Sequence, residues 1–472
     1  MTLDEFLAEV RACPLIASAQ ADEHAPLDNP ESIVRLALSS IQEGVRVLRL
    51  QGFENIHAVK AASPTPVIGL IKRHFEGFGP YITPTIDTIK ELLATSCEAI
   101  GIDGTRRPRP DGSTLKEAIA LIHASGRLAL VDCDVPDSVK YSIECGADII
   151  STTLAGYTQE SSKTSGPDLE FLREAIKISR RPVLGEGRYS QRWQIETALR
   201  MGASGVVVGG ALNDPLKQTQ MLRPTPRVDR PVGAVDVGGT WLRFALFDPD
   251  WKLIRAEKTS TPKKHAERAA WVAERAGRAS ISRLGISTGG TVEPNTNRVV
   301  ESKDLIENNL LKALGDYAPD VPVFALNDGH ASAWGHACLP QYAGKRVATL
   351  ALGTGVGCGL VTDNRIFMGR TGEYPRINDI PFGEGIVEDA LGGFNRPATS
   401  PRDAFAATIA CVSILREVLF ADEVIVCGGV GLSTMLSPLV QKLKLHVSPF
   451  GEDAGLYGAA ALALYDSWKA PA

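Results

Sequence analysis

Eight short apolar or β-branched runs alternate with helical patterns across the first 220 residues, and this alternation constrains the fold more than any other feature. The runs are LIAS at Leu15, VRVLRL at Val45, VIGLI at Val67, EAIGI at Glu98, LALVD at Leu128, DIIST at Asp148, PVLGE at Pro182 and GVVVG at Gly205. Between them lie stretches such as DLEFLREAIKIS, where Leu169, Leu172, Ala175 and Ile176 share one helical face. Strand–helix alternation predicts an α/β unit with a parallel sheet. Eight strands close into a (β/α)8 TIM barrel; an open doubly wound sheet has the same alternation and is the other arrangement to consider.

The rhythm changes after LRPTPRVDRPV (Leu222 to Val232), whose three prolines fix φ and remove amide donors, as in a stiff exposed connector. The expected division is a barrel at residues 1–222, a Pro-rich linker at 223–231 and a second domain at 232–472. There GAVDVGGTWLRFALFD predicts a strand, a glycine turn and a returning strand, and ATLALGTGVGCGLVTD repeats that design. A repeated hairpin predicts two related lobes with a cleft between them.

Charge and composition narrow the functional classes. Lysine plus arginine total 50 against 55 acids, a net of −5 without a basic stripe, which argues against nucleic acid or an anionic membrane as partner. Eight dispersed cysteines form no CxxC pair, so neither a disulfide framework nor a four-cysteine zinc site is expected. The start MTLDEFLAEVRA lacks a signal-peptide pattern, and no apolar run is long enough to span a bilayer, so a cytoplasmic protein is expected.

In a barrel, chemistry collects at the carboxyl ends of the strands. Polar residues at those ends are Gln20, Arg49, Lys72, Asp103, Asp132, Glu186 and Arg188. Gly187 and the pair Gly209–Gly210 allow backbone amides to approach a phosphate, with a short helix beginning near Asn213 behind them. Lys72 ends an apolar strand, where desolvation would favour a neutral amine, and Glu186 lies between glycines, where burial would raise its pKa. Together they suit proton removal from one face of a sugar and return to the other. A Lys72–Glu186 salt bridge closing the mouth fits the residues equally well.

In the second domain, DVGGT (Asp236 to Thr240) offers turn amides and a hydroxyl to phosphate oxygens, and Asp236 can face magnesium directly or through water. LGTGVGCG supplies a matching turn with Gly353, Thr354 and Gly355, and VCGGVG adds Gly428 and Gly429 beneath a nucleotide base. Three glycine turns at strand ends favour ATP binding. Asn327 and Asp328 end the run FALND, which places a carboxylate where it can accept a hydroxyl proton during in-line phosphoryl transfer. The competing role for Asp328 is a helix cap for HASAWGHA. His330 and His336 on that helix are expected to be structural.

The runs SAQ, LRLQG, VIGLIKR, IDGTRRPRP, DCD, STTLAGYT, EGRY and VVVGGA, over residues 15 to about 212, resemble the N-acylmannosamine-6-phosphate 2-epimerase family. The resemblance implies Lys72 and Glu186 as acid/base residues and Gln20, Arg49 and Asp132 as substrate contacts. Where that family has Thr-Arg after its glycine pair, this chain has Asn213-Asp214, an acid beside the expected dianion, and Arg188 is expected to compensate. From about Val232 onward, DVGGT, LND, LGTGVGCG and CGGVG resemble the ROK family of sugar kinases, within the actin-like ATPase superfamily. That resemblance implies an actin-like (ribonuclease H-like) two-lobed domain, Asp328 as catalytic base, and Glu373 and Glu388 as sugar contacts beside Asn327. It also implies ATP and magnesium as cofactors. Pro375-Arg376 replaces the family's Gly-His, and its cysteine-rich zinc loop is missing from PRINDIPFGEG, so no zinc is expected.

The two resemblances together imply a bifunctional enzyme of sialic-acid catabolism. One half would phosphorylate N-acetylmannosamine at its 6-hydroxyl with ATP; the other would convert the 6-phosphate to N-acetylglucosamine 6-phosphate. The alternatives are an epimerase fused to a sugar-sensing ROK domain without catalysis, or to a kinase for another hexose. The expected partners are small sugars, with a homo-oligomer left open.

Overall fold

The computed structural model describes residues 1–164, 166–223, 228–294, 297–301, 321–353, 355–369, 371–392 and 400–465. Two compact units result, one from the described residues up to 223 and one from those after 227. No helix among the described residues is long and apolar enough to cross a membrane.

In the first unit the eight runs become strands β1 (Leu15–Ala19), β2 (Leu48–Gln51), β3 (Val67–Leu70), β4 (Ala99–Asp103), β5 (Leu128–Asp132), β6 (Ile149–Ser151), β7 (Val183–Glu186) and β8 (Gly205–Val208). All neighbours are parallel, and β8 pairs back onto β1 (Ile16 opposite Val207), so the sheet is a closed barrel rather than an open one. Helices begin where capping side chains satisfy the free amides. Asn29 and Asp168 cap two of them, and Thr114 with Glu117 forms a capping box on a third. Phe6 and Val10 of the opening helix Leu3–Ala12 are fully buried against Ile16, Leu130, Ile149 and Leu184, closing the amino end of the barrel. The opposite rim carries Asp103, Asp132 and Glu186, each the last residue of its strand.

In the second unit, β9 (Val232–Val237) and β10 (Trp241–Phe247) form the first hairpin. The sheet continues with β11 (Leu253–Ser260), β12 (Leu284–Thr288) and Val323–Asn327, in the order β11, β10, β9, β12, Val323–Asn327. The second hairpin, Val347–Leu352 with Val356–Thr362, starts a sheet with the same order of elements, completed by Arg365–Ile366, Glu423–Cys427 and His446–Val447. The repeated hairpin of the sequence thus corresponds to a repeated five-stranded topology. Helices Asp328–Ala337 and Ala454–Leu464 pack against each other and against these sheets. Their approach is close enough that a Cβ on Gly335 would lie 2.9 Å from the Gly458 Cα. His330 and His336 are wholly buried, bonded to the Phe367 carbonyl and to Ser332 and Ser448, and burial pushes both down to about 4.

Candidate active sites

At the carboxyl rim of the barrel, Arg49 is 1% exposed and Asp132 is fully buried. Arg49 donates to both Asp132 oxygens at 3.0 and 2.6 Å and lies 3.0 Å from Glu186 Oε2. Burial alone would lower the Arg49 pKa, but the two carboxylates more than offset that and keep it charged. Thr153 Oγ1 donates to Asp132 at 2.5 Å and to Glu186 at 2.9 Å, and Ser151 donates to Glu186 at 3.2 Å. Burial raises the Glu186 pKa, and the Asp132 charge adds to the rise against the opposing effect of Arg49. The result is one buried network with a single cation between two carboxylates.

Lys72 follows β3 on the same rim. Among the described residues it has no hydrogen bond or ion pair, so the Lys72–Glu186 bridge does not form; Glu186 pairs with Arg49 instead. Partial desolvation, then the positive charge of Arg49, lowers the Lys72 pKa, although the side chain still reaches solvent. Tyr81, on the loop after β3, is pushed up to about 12 by burial and by Asp132; no sequence pattern marked it.

At the junction of β8 and β1, Gln20 donates to Ser18 at 3.0 Å and Asn213 donates to the Ser18 carbonyl at 3.1 Å, beside Gly209 and Gly210. Gly187 takes φ +109°, which side-chain-bearing residues rarely adopt. Arg188 is tied to the loop after β6, donating to the Ala155 and Gly166 carbonyls and to Thr164 at 2.8–2.9 Å. The cation beside Gly210 is Lys217, which neutralises Asp214 at 2.7 Å, while Asp214 caps the helix Pro215–Leu222.

The second unit contains a cleft of about 530 Å³ between its two sheets, a size suited to a small molecule. Asp236, Gly238, Gly239, Asn327, Asp328, Gly353, Gly355, Glu388 and Gly428 all line it. Thr240, Gly429 and Glu373 are not among the lining residues, and Thr354 lies outside the described residues. Glu373 instead accepts from the backbone and hydroxyl of Thr371. Glu388 Oε2 accepts from the Val356 amide at 3.3 Å, bracing the second glycine turn. Gly428 combines φ +79° with close contact to the Leu352 carbonyl, so both conformation and space require glycine there.

Capping falls to Asn327, not Asp328. Asn327 Oδ1 accepts from the Gly329 and His330 amides at 2.9 and 3.3 Å, and its Nδ2 donates to the Gly290 carbonyl at 3.0 Å. Asp328 accepts the Gly329 amide at 2.8 Å, and its carboxylate lines the cleft. Burial, then the Asp236 charge, pushes Asp328 up to about 6. Asp236 is held by Arg243 and Ser287, each at 2.9 Å, and burial raises its pKa as well.

No group of three or more His, Cys, Asp or Glu side chains able to hold a metal ion occurs among the described residues. Magnesium needs no such cage, because it binds through one or two carboxylates together with substrate phosphates and water. Asp236 and Asp328 on one cleft wall fit that mode. Thr261, Arg268, Thr291 and Asn378 also line the cleft; none stands in a motif, so nothing in the sequence singled them out.

Two family models match separate parts of the chain. Residues 33–223 match the NanE family model, described as "Putative N-acetylmannosamine-6-phosphate epimerase", and residues 232–382 match that of the ROK family. A Clostridium perfringens (strain SM101 / Type A) protein named "Putative N-acetylmannosamine-6-phosphate 2-epimerase" is 39% identical over 206 residues, covering 44% of this chain and 93% of its own. A Brucella melitensis protein named "Bifunctional enzyme NanE/NanK" is 28% identical over 518 aligned positions, covering 98% of both chains. The solved N-acetylmannosamine-6-phosphate 2-epimerase from Clostridium perfringens is 37% identical, covering 46% of this chain and 94% of its own, at a TM-score of 0.45. The chain therefore belongs to the N-acetylmannosamine-6-phosphate epimerase family through its barrel and carries a ROK-family unit behind it in the same polypeptide.

Proposed function

We propose that the chain is a bifunctional enzyme of sialic-acid catabolism. The ROK unit transfers the γ-phosphoryl of ATP to the 6-hydroxyl of N-acetylmannosamine, and the barrel epimerises the product at carbon 2 to N-acetylglucosamine 6-phosphate. The observation that carries this reading is that each unit holds a proton-handling group not consumed by the fold. Among the described residues Lys72 forms no hydrogen bond or ion pair at the barrel mouth, and Asp328 is relieved of capping by Asn327.

In the barrel, opening of the sugar ring places the carbon 2 proton next to an aldehyde, which acidifies it. Lys72 and Glu186 stand on two sides of that carbon; one removes the proton and the other returns one to the opposite face, with roles exchanged in the reverse direction. Arg49 and Asp132 hold Glu186 in place and orient sugar hydroxyls. Gln20, Gly187 and the Gly209–Gly210 amides, with Lys217 as the nearby cation, receive the 6-phosphate.

In the cleft, Asp328 accepts the proton of the 6-hydroxyl as the sugar oxygen bonds to the γ-phosphorus and the bond to the ADP oxygen breaks. Gly238, Gly239, Gly353, Gly355 and Gly428 cradle the nucleotide, Glu388 braces the second glycine turn, and Asn327 and Glu373 position the loops around the sugar. Asp236 is the residue to hold magnesium, which when bound neutralises phosphate charge. ATP and sugar phosphates are metabolites of the cytoplasm, which is where the reading places the protein.

The test is incubation of the full chain with ATP, magnesium and N-acetylmannosamine, with the sugar phosphates resolved. N-acetylmannosamine 6-phosphate followed by its 2-epimer is the expected sequence. No ATP consumption with retained sugar binding would identify a sensor, and turnover with a different hexose alone would reassign the kinase.

A further inference from the structure

Arg268 lies in the first turn of the helix His265–Arg278 and lines the same cleft as Asp236, Gly238 and Asp328. It is 7% exposed; its Nε donates to the Pro262 carbonyl at 2.5 Å, and one of its terminal nitrogens is buried without a hydrogen-bond partner. No carboxylate among the described residues forms an ion pair with it. Of the other arginines in this region, Arg243 is spent on Asp236, and Arg376, which also lines the cleft, has contacts of its own.

A buried guanidinium without a counter-charge is costly to the fold, because desolvation is not repaid by a Coulombic partner. Arginine does not escape that cost by losing its proton. A neutral sugar would not supply the missing charge; a phosphate would. The surroundings point the same way. Pro262, which anchors Arg268, follows Thr261, whose hydroxyl donates to the Gly238 carbonyl at 2.7 Å and whose amide donates to the Thr240 carbonyl at 3.0 Å. The guanidinium is thus fixed through a two-residue corner to the glycine turn of the first hairpin.

We propose that Arg268 binds the terminal phosphoryl group of the nucleotide and stabilises the charge spread over its oxygens as it is transferred. This rests on the reading of the second unit as an ATP-dependent sugar kinase. It adds a cation to a site whose recognisable motifs contain only glycines, hydroxyls and carboxylates.

The experiment uses the full chain and Arg268→Gln, with Arg268→Lys as the conservative variant. Calorimetry with magnesium measures binding of ADP and of the non-hydrolysable β,γ-imido analogue of ATP, and steady-state kinetics measures turnover with N-acetylmannosamine. Arg268→Gln is expected to weaken the analogue about tenfold or more, leave ADP and the sugar KM unchanged, and lower kcat about 10²–10³-fold. Arg268→Lys should recover part of both losses. Thermal stability without nucleotide should stay level or rise in Arg268→Gln, whereas a merely structural role would lower it. Equal loss for ADP and the analogue, a change confined to the sugar KM, or wild-type values throughout would overturn the assignment. A wild type that binds the analogue through Arg268 but never turns over would instead overturn the kinase reading and leave the contact standing. A wild type that binds no nucleotide would overturn both.

Discussion

Replacing Asp328 by Asn separates catalysis from stability in one step. The carboxylate is buried beside Asp236, which pushes it from the ordinary 3.8 to about 6. Above pH 6 the folded protein therefore keeps a charge that it accommodates less well than the unfolded chain does. The sign follows from proton binding. Between pH 3.8 and 6 the native state holds more protons at this site, so stability falls as pH rises through that window and the loss is complete above it. The size of the shift corresponds to about 2–3 kcal/mol. Asparagine removes the charge yet still accepts the Gly329 amide that Asp328 receives at 2.8 Å. Asp328→Asn should thus abolish sugar phosphorylation while raising the Tm of the second unit at pH 7 by about 4–10 °C for a unit of this size. At pH 4 the gain should shrink towards zero. Epimerisation of supplied N-acetylmannosamine 6-phosphate should be unchanged. Scanning calorimetry of the nucleotide-free chain at both pH values, run beside the two activity assays, measures all of this. A lower Tm at pH 7, or a gain equal at both pH values, would refute the electrostatic account; retained phosphorylation would remove Asp328 from the mechanism.

Three further changes probe other parts of the molecule. Lys72→Met should stop both epimerisation and exchange of the carbon 2 hydrogen with deuterated solvent, leave phosphorylation intact, and cost little stability because the amine forms no hydrogen bond or ion pair among the described residues. Asp132→Ala leaves Arg49 buried without its bidentate partner and should destabilise the barrel by about 3–5 kcal/mol, read as a lower unfolding transition of the first unit with loss of epimerisation. Gly458→Ala would drive a Cβ into the Ala331 carbonyl on the facing helix. It should cost the second unit about 3 kcal/mol or more and impair the kinase while sparing the epimerase.

The elements were legible because they are local. A β-branched run between helical patterns carries its own periodicity, and a glycine at a strand end records a backbone requirement whatever surrounds it. Hence the eight barrel strands and both hairpins stand where the sequence placed them, and Asp236, Asp328, Gly238, Gly239, Gly353, Gly355 and Gly428 meet in one cleft. Adjacent residues already tested that limit: the sequence offers Asp328 as the cap of HASAWGHA, and only the backbone at the helix start gives that role to Asn327 and frees the aspartate.

Tertiary structure alone decided how charge is distributed. Arg49 and Asp132, 83 residues apart, satisfy each other in the barrel interior, because a buried ion finds a counter-ion wherever the fold brings one near. Arg188 is drawn onto the carbonyls of a loop from another strand, and Lys217, unmarked in any motif, takes the place beside the glycine pair. Arg268 is the converse, a cation that the fold buries without an internal acid. Neither pairing nor isolation is written in residue spacing, since both depend on which side chains closure of the barrel and of the two lobes brings within a few ångströms.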